Sequence, residues 1–270
     1  MVRPLLIAAA VVSLAAAALL AQPARAVSGS KQKPAPRVER RVPFAAGETL
    51  TYDVSWSSFV TAGTATLAVK EKKPSFGSVA YYIVAEGQPT PLLSKLYTLY
   101  YKMDTLVDVF SLLPQRASVF SQEGRRRRMK VTQFDQQARR AQYEVQTATL
   151  VRTTRAVPAY TQDPLAALYV LRTIPLKEGE RMTMPIAESG TLYRITVTVG
   201  PRERVRTGLG TIDAWRVTPA IAGGAQGARG MVVWISTDDR RLPVRMETEL
   251  AVGTFRLTLS SAAGVRAAGR

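Results

Sequence analysis

The chain has no histidine and no cysteine, and that absence removes more chemistry than any motif supplies. Histidine-based triads, thiol nucleophiles and ordinary zinc sites each need one of these side chains. Carboxylate, hydroxyl and lysine chemistry remain. A pair of carboxylates could run glycoside hydrolysis. Asp104 and Asp108 stand at i and i+4, and on a strand that spacing points both to one face. Asp238 and Asp239 are adjacent, so a strand would turn them to opposite faces. Each pair is more simply read as a solvated strand end or a turn, and neither has calcium-loop spacing.

Ser28-Gly29-Ser30-Lys31 matches a Ser-x-x-Lys nucleophile pattern, but the Ser-Asp-Asn and Lys-Thr-Gly motifs that accompany it are missing. Ser94-Lys95 also stands without support. Arg125, Arg126, Arg127, Arg128 and Lys130 form the densest basic run. It reads either as a finger that touches an anionic surface or as a hairpin whose arginines are solvated and block edge pairing. Charge runs are usually solvated, and few aromatic residues interleave this one, which argues against nucleic acid. Trp56, Tyr81, Tyr82, Tyr100, Tyr101, Tyr169, Trp215 and Trp234 could line a ligand groove, although aromatics at strand spacing more often fill a core. Gly208 and Gly210 precede a strand and read as a turn or bulge.

One helix has to position whatever these residues do. Asp163 can cap it through its carboxylate, and Pro164 follows at the first helical position, where its missing donor costs nothing. Leu165, Leu168, Tyr169 and Arg172 fall on one face. Ala166, Ala167, Val170 and Leu171 make most of the remaining surface apolar, as in a buried helix. Pro175 ends it by pushing Ile174 to extended geometry. A further helical turn or two is expected near Pro91.

The rest reads as strands. Leu50, Tyr52, Val54 and Trp56 alternate with polar residues, and so do Tyr193, Ile195, Val197 and Val199. About a dozen such segments recur at the ~8–12 residue spacing of a sandwich or barrel. Residues 202–206 and 211–218 read as two of these strands, and 221–230 as a Gly/Ala-rich loop. The amphipathic alternation implies antiparallel pairing. The expected fold is therefore mainly β, a strongly curved antiparallel sheet or partial barrel or sandwich packed around one short buried helix.

Residues 1–26 carry the three parts of an export signal: Arg3, an apolar run over 5–21, and Ala24-Arg25-Ala26 before the cut. No cysteine follows, so a lipoprotein is not expected. Residues 27–43 are Ser, Lys, Arg and Pro with few apolar side chains and read as a disordered tether. A single β-rich domain is expected over 44–261, with a frayed tail over 262–270. Export without disulfides fits a bacterial periplasm. The formal charge of +17 falls to about +15 once Arg3 and Arg25 leave with the signal. Outside the cytosol the polyanions such a protein meets are lipid head groups, lipopolysaccharide phosphates and acidic glycans.

Several stretches together resemble a bacterial exported family catalogued as domain of unknown function 3108. They are Phe44 with Gly47-Glu48-Thr49-Leu50-Thr51-Tyr52, Ala62-Gly63, Asp163 through Leu171-Arg172, Trp234-Ile235-Ser236-Thr237-Asp238, and Leu242-Pro243-Val244-Arg245. The resemblance covers roughly residues 44–260 and leaves out the Arg125–Arg128 run. It implies an exported β-rich domain and transfers no catalytic residue. The functional expectation is a non-enzymatic periplasmic envelope protein. It would bind a lipidic or glycan component, with peripheral membrane contact and no cofactor. The alternatives are a protein–protein scaffold of an envelope assembly and a carboxylate-dependent hydrolase of envelope polymer.

Overall fold

Period-two burial builds the first strand, β1 (Thr49–Trp56). Leu50 and Tyr52 are fully buried, while the residues beside them are more exposed, as one wet face and one dry face require. This computed structural model describes residues 37–57, 60–96, 98–146, 149–222, 230–250 and 253–265. The expected export signal and the Ser28–Lys31 motif lie outside these residues, as does most of the expected 221–230 loop.

After β1 the chain runs through β2 (Val60–Ser75), β3 (Ser78–Pro89), a six-residue helix α1 (Pro91–Leu96), β4 (Leu99–Asp108), β5 (Pro114–Glu123), β6 (Arg126–Asp135), β7 (Arg140–Gln146) and β8 (Leu150–Ala156). The second helix, α2 (Pro164–Thr173), leads to β9 (Arg181–Glu188) and β10 (Thr191–Thr207). The remaining strands are β11 (Gly210–Ile221), β12 (Val232–Ser236), β13 (Pro243–Leu250) and β14 (Gly253–Ala263).

These strands make one antiparallel sheet in the order β8-β7-β6-β5-β4-β3-β2-β1-β14-β13-β12-β11-β10-β9. The chain starts in the middle of the sheet and meanders out to the β8 edge. It then crosses on α2 to the β9 edge and returns until β14 pairs with β1. The sheet is not closed, but it curls. Lys130 on β6 bonds Ser189 in the β9–β10 turn, and a Cβ added at Gly190 in that turn would strike the Tyr143 ring on β7. Gly190 also has a positive φ of 77°, which a side chain would strain.

The helix forms where its caps predict. Asp163 is extended, and its carboxylate accepts from the amides of Leu165 at 2.9 Å and Ala166 at 3.0 Å, with Pro164 in the first turn. Ile174, before Pro175, is extended at φ −89° and ψ 131°, the geometry a following proline imposes. Leu165, Ala166 and Tyr169 join the larger core with Phe44, Leu50, Tyr52, Ile83 and Leu259. Leu171 joins a second core with Val197, Trp215, Val217 and Ile235. Leu168 is only partly buried and packs against both.

The structure corrects three boundaries. Part of the expected tether is held: the Arg40 amide donates to Val109 O at 3.0 Å, Arg40 Nε donates to Phe110 O at 3.3 Å, and Glu39 pairs with Lys72. Backbone and ion-pair contacts hold this segment, which composition alone did not reveal. Ala262 and Ala263, expected in the frayed tail, pair with Leu50 and Thr49. Finally, residues 202–206 are not a separate strand. They continue β10, whose pairing with β11 shifts between Val199 and Arg202. Gly200 and Pro201 fall inside that shift, and Pro201 has no N–H to give to a ladder.

Candidate functional site

Strand alternation places Met184 and Ile186 of β9, Tyr193, Ile195 and Val197 of β10, and Val217 and Pro219 of β11 in matching register across the sheet. Ala167, Leu168 and Leu171 sit on the flank of α2 that meets this face. Between helix and sheet lies a groove of about 460 Å³, lined almost wholly by apolar side chains, with Pro164 and Glu188 at one end and Met231 and Val233 on its far wall. The volume falls within the ~300–1,000 Å³ range of small-ligand sites. Leu171, Val197 and Val233 are buried, whereas Pro164 and Met231 are exposed. The groove is therefore deepest at Leu171, Val197 and Val233, and it opens both at Met231 and at a mouth near the start of α2.

Polar groups gather at that mouth. Lys130 Nζ donates to Ser189 Oγ at 2.9 Å, and Ser189 Oγ donates to Glu188 Oε1 at 2.7 Å. Lys130, Glu188 and Ser189 also border a notch of about 20 Å³ beside Pro164, which holds about one water-sized volume. Burial raises the Tyr143 phenol above its usual range. Glu188 adds to that rise, while Ser189 and Arg128 oppose it.

The cap itself is electrostatically unusual. Asp163 is buried, and desolvation pushes its carboxyl up to about 6, against the hydrogen bonds from Thr105 Oγ1 (2.7 Å) and the two helix amides that favour the charged form. It borders the small notch at the foot of the helix.

The basic run is divided by its own secondary structure. Gly124 and Arg125 form the turn between β5 and β6, and Arg126 pairs with Glu123 across it. Arg126, Arg128 and Lys130 then alternate with Arg127 and Met129 along β6. Lys130 borders the notch with Val119 and Thr132, so that alternate set faces the inside of the curl. Arg125, Arg126 and Arg127 are exposed, and Arg128 and Lys130 are half-buried.

The carboxylates considered for catalysis are each held by local partners. Asp104 accepts from Ser118 Oγ and from Arg116 Nη1 at 3.3 Å. Asp108 accepts from Ser78 Oγ at 2.5 Å and from the amides of Phe110 and Ser111. Burial pushes its carboxyl up, but these bonds win and hold it below the usual range. Asp238 accepts from Arg240 and Ser236 in the β12–β13 turn. Of the aromatics considered for a groove, Tyr81, Tyr169, Trp215 and Trp234 are buried, and Tyr193, not singled out beforehand, is the aromatic in the lining. Among the described residues no cluster of acids could hold a metal ion, and no helix is long and apolar enough to cross a membrane.

A fourteen-stranded antiparallel sheet curled around one helix, with an apolar groove on the helix flank, defines an open, barrel-like β protein. The chain belongs to the DUF3108 family, a family of proteins of unknown function whose model matches residues 51–260. No functionally curated protein matches it. Among solved structures it is similar to a beta-barrel-like protein of the DUF1849 domain of unknown function from Brucella abortus, with 11% identity and a TM-score of 0.48 over 80% of this chain and 96% of that one. It is also similar to a protein described as a lipoprotein from Parabacteroides distasonis, with 9% identity and a TM-score of 0.31 over 82% and 97%. A protein described as exported, with a YmcC-like fold, from Bacteroides fragilis has 12% identity and a TM-score of 0.30 over 83% and 99%.

Proposed function

We propose that this protein is a non-enzymatic, periplasmic binder of a lipidic envelope component, not itself a lipoprotein, which takes an acyl chain into the groove beside α2. The groove carries the reading. A face that strand alternation and a helix flank both make apolar is left with about 460 Å³ unfilled, although interiors are normally close-packed. Its apolar lining favours a lipid over a glycan. The export signal expected over residues 1–26 brings such a site among envelope lipids. The carboxylates weighed for hydrolysis are engaged in turns and cross-strand bonds, which favours the binding reading over the hydrolase.

The test is to purify the protein from the envelope fraction of an exporting host and analyse what accompanies it by native mass spectrometry and lipid extraction. The expected result is acyl-chain lipid at near-stoichiometric amount in the wild type, and its loss in Leu168→Trp, which fills the groove. A folded wild type that carries no lipid, or that carries lipid equally well after Leu168→Trp, overturns the proposal and returns the chain to the scaffold reading.

A further inference from the structure

The groove has chemically distinct ends, and the difference names its ligand more closely. Its most deeply buried lining is Leu171, Val197 and Val233, whose side chains carry no hydrogen-bonding group. Its mouth ends on Glu188, next to Ser189 and Lys130. Lys130 is half-buried on the inner face of β6 and has no carboxylate partner among the described residues. The one bond recorded for its ammonium goes to the Ser189 hydroxyl. A half-buried ammonium with donors to spare can take the oxygen of an anion. Arg128 lies two residues along the same strand face and acts on Tyr143 together with Glu188 and Ser189. Lys130 shares the notch with three carboxylates, and each already accepts from other neighbours: Asp104 from Ser118 and Arg116, Asp163 from Thr105 and two helix amides, and Glu188 from Ser189.

Resting on the groove reading, we infer that the ligand is an anionic amphiphile, its chain beside α2 and its phosphate or carboxylate headgroup against Lys130 and Arg128. Lys130 supplies a point charge with three donors, and Arg128 a planar fork suited to two oxygens of one headgroup. Ser189 would pass its Lys130 contact to the headgroup. The arrangement orients the ligand with its chain inward, because reversing it would bury the anion against Leu171 and Val233 and leave the cations unmatched. It also gives the basic run of the sequence a division of labour. Arg128 and Lys130 serve the mouth, while exposed Arg125 and Arg127 are left to solvent or a surface.

The experiment compares two ligands that differ only by a phosphate group, monolauroylglycerol and its 3-phosphate. Both are titrated below their micelle concentrations against protein loaded with a neutral fluorophore such as N-phenyl-1-naphthylamine. The phosphate form should displace the dye at about tenfold lower concentration, the scale of one or two charge-assisted hydrogen bonds. Lys130→Gln and Arg128→Gln should each erode that preference and leave the neutral ester unchanged, whereas Lys130→Arg should keep it. Arg128→Gln changes a half-exposed residue and gives a reading that does not depend on whether Lys130→Gln folds. Equal displacement by the two wild-type ligands overturns the headgroup assignment, and so does a preference that survives both neutral substitutions. Inorganic phosphate that competes as well as the phosphate form would assign the cations to a free anion and overturn the amphiphile. If neither ester displaces the dye, the groove reading itself falls, an outcome distinct from the loss of charge preference alone.

Discussion

Arg172 closes its guanidinium on the Glu48 carboxylate through two hydrogen bonds, 2.6 Å from Nη1 to Oε1 and 2.9 Å from Nη2 to Oε2, with neither side chain reaching solvent. Arg172 Nε also donates to Arg241 O at 3.0 Å, and its guanidinium lies 5.3 Å from the Phe44 ring centroid and 5.0 Å from that of Tyr169. One side chain thus ties the last turn of α2 to the residue before β1 and to the β12–β13 turn. This is why an arginine occupies the apolar face of the helix, where the spacing alone called for a hydrophobic residue.

Breaking that pair should be expensive. Arg172→Met leaves the Glu48 carboxylate buried and unmatched, and the expected loss is about 3–5 kcal/mol. The double replacement Arg172→Met with Glu48→Leu should recover much of it, because no orphaned charge remains. Urea denaturation of the three proteins reads both effects. A single mutant as stable as wild type would contradict the pair's role.

Two of the three leucines of α2, Leu165 and Leu168, should behave differently. Leu165 is buried in the larger core, so Leu165→Ala should cost about 2–5 kcal/mol, as for closed core sites. Leu168 borders the groove and is only partly buried, so Leu168→Ala should cost less than about 2 kcal/mol, because the void it enlarges already exists. Thermal melts of both variants decide this, and equal losses would mean that the groove is filled by the fold itself.

Asp163 should make stability fall as pH rises through the mildly acidic range. Its folded carboxyl titrates at about 6, above the ~3.9 of an unfolded aspartate. The folded state therefore holds the proton more tightly. The group's contribution is fully present below about pH 4 and is lost as pH climbs through about 6. Asparagine keeps the cap acceptor without the charge, so wild type measured against Asp163→Asn should lose ground between pH 4 and 7. A difference that is flat across this window would contradict the buried, ionisable cap. Asp163→Ala, which removes the acceptor, should cost about 1 kcal/mol or more at any pH.

Arg125 and Arg127 are exposed at the β5–β6 hairpin end. Replacing both with Gln should change stability by no more than about 0.5 kcal/mol. If they meet an anionic surface, co-sedimentation with vesicles containing anionic lipid should drop, and wild-type binding should weaken with salt. Undiminished vesicle binding by the double mutant would leave these two arginines merely solvated.

Local signals made much of this legible in the sequence alone. The cap at Asp163, the proline after it and the stop at Pro175 are short-range chemistry, and they fixed α2 to within a residue or two. Period-two alternation located most strands, because burial of one face acts on each strand separately. The family was likewise readable from stretches spread between Phe44 and Arg245.

The site was not legible, because a groove wall and a core face carry the same signal. Met184, Ile186, Tyr193, Ile195 and Val197 alternate as they would in a packed core. Only the curl of the sheet and the placement of α2 leave the space before them unfilled. The partner of Arg172 was hidden for a similar reason, since 124 residues separate it from Glu48 and no periodicity spans that distance. The basic run shows the same limit. Its density is a property of the sequence, but β6 divides it by strand alternation, and the folding of the β9–β10 turn against β6 brings Lys130 to Ser189. Sequence determined the elements, because their causes lie within a few residues. Tertiary structure decided which apolar faces meet and which stay apart, because that depends on how strands far apart in the chain curl around one helix.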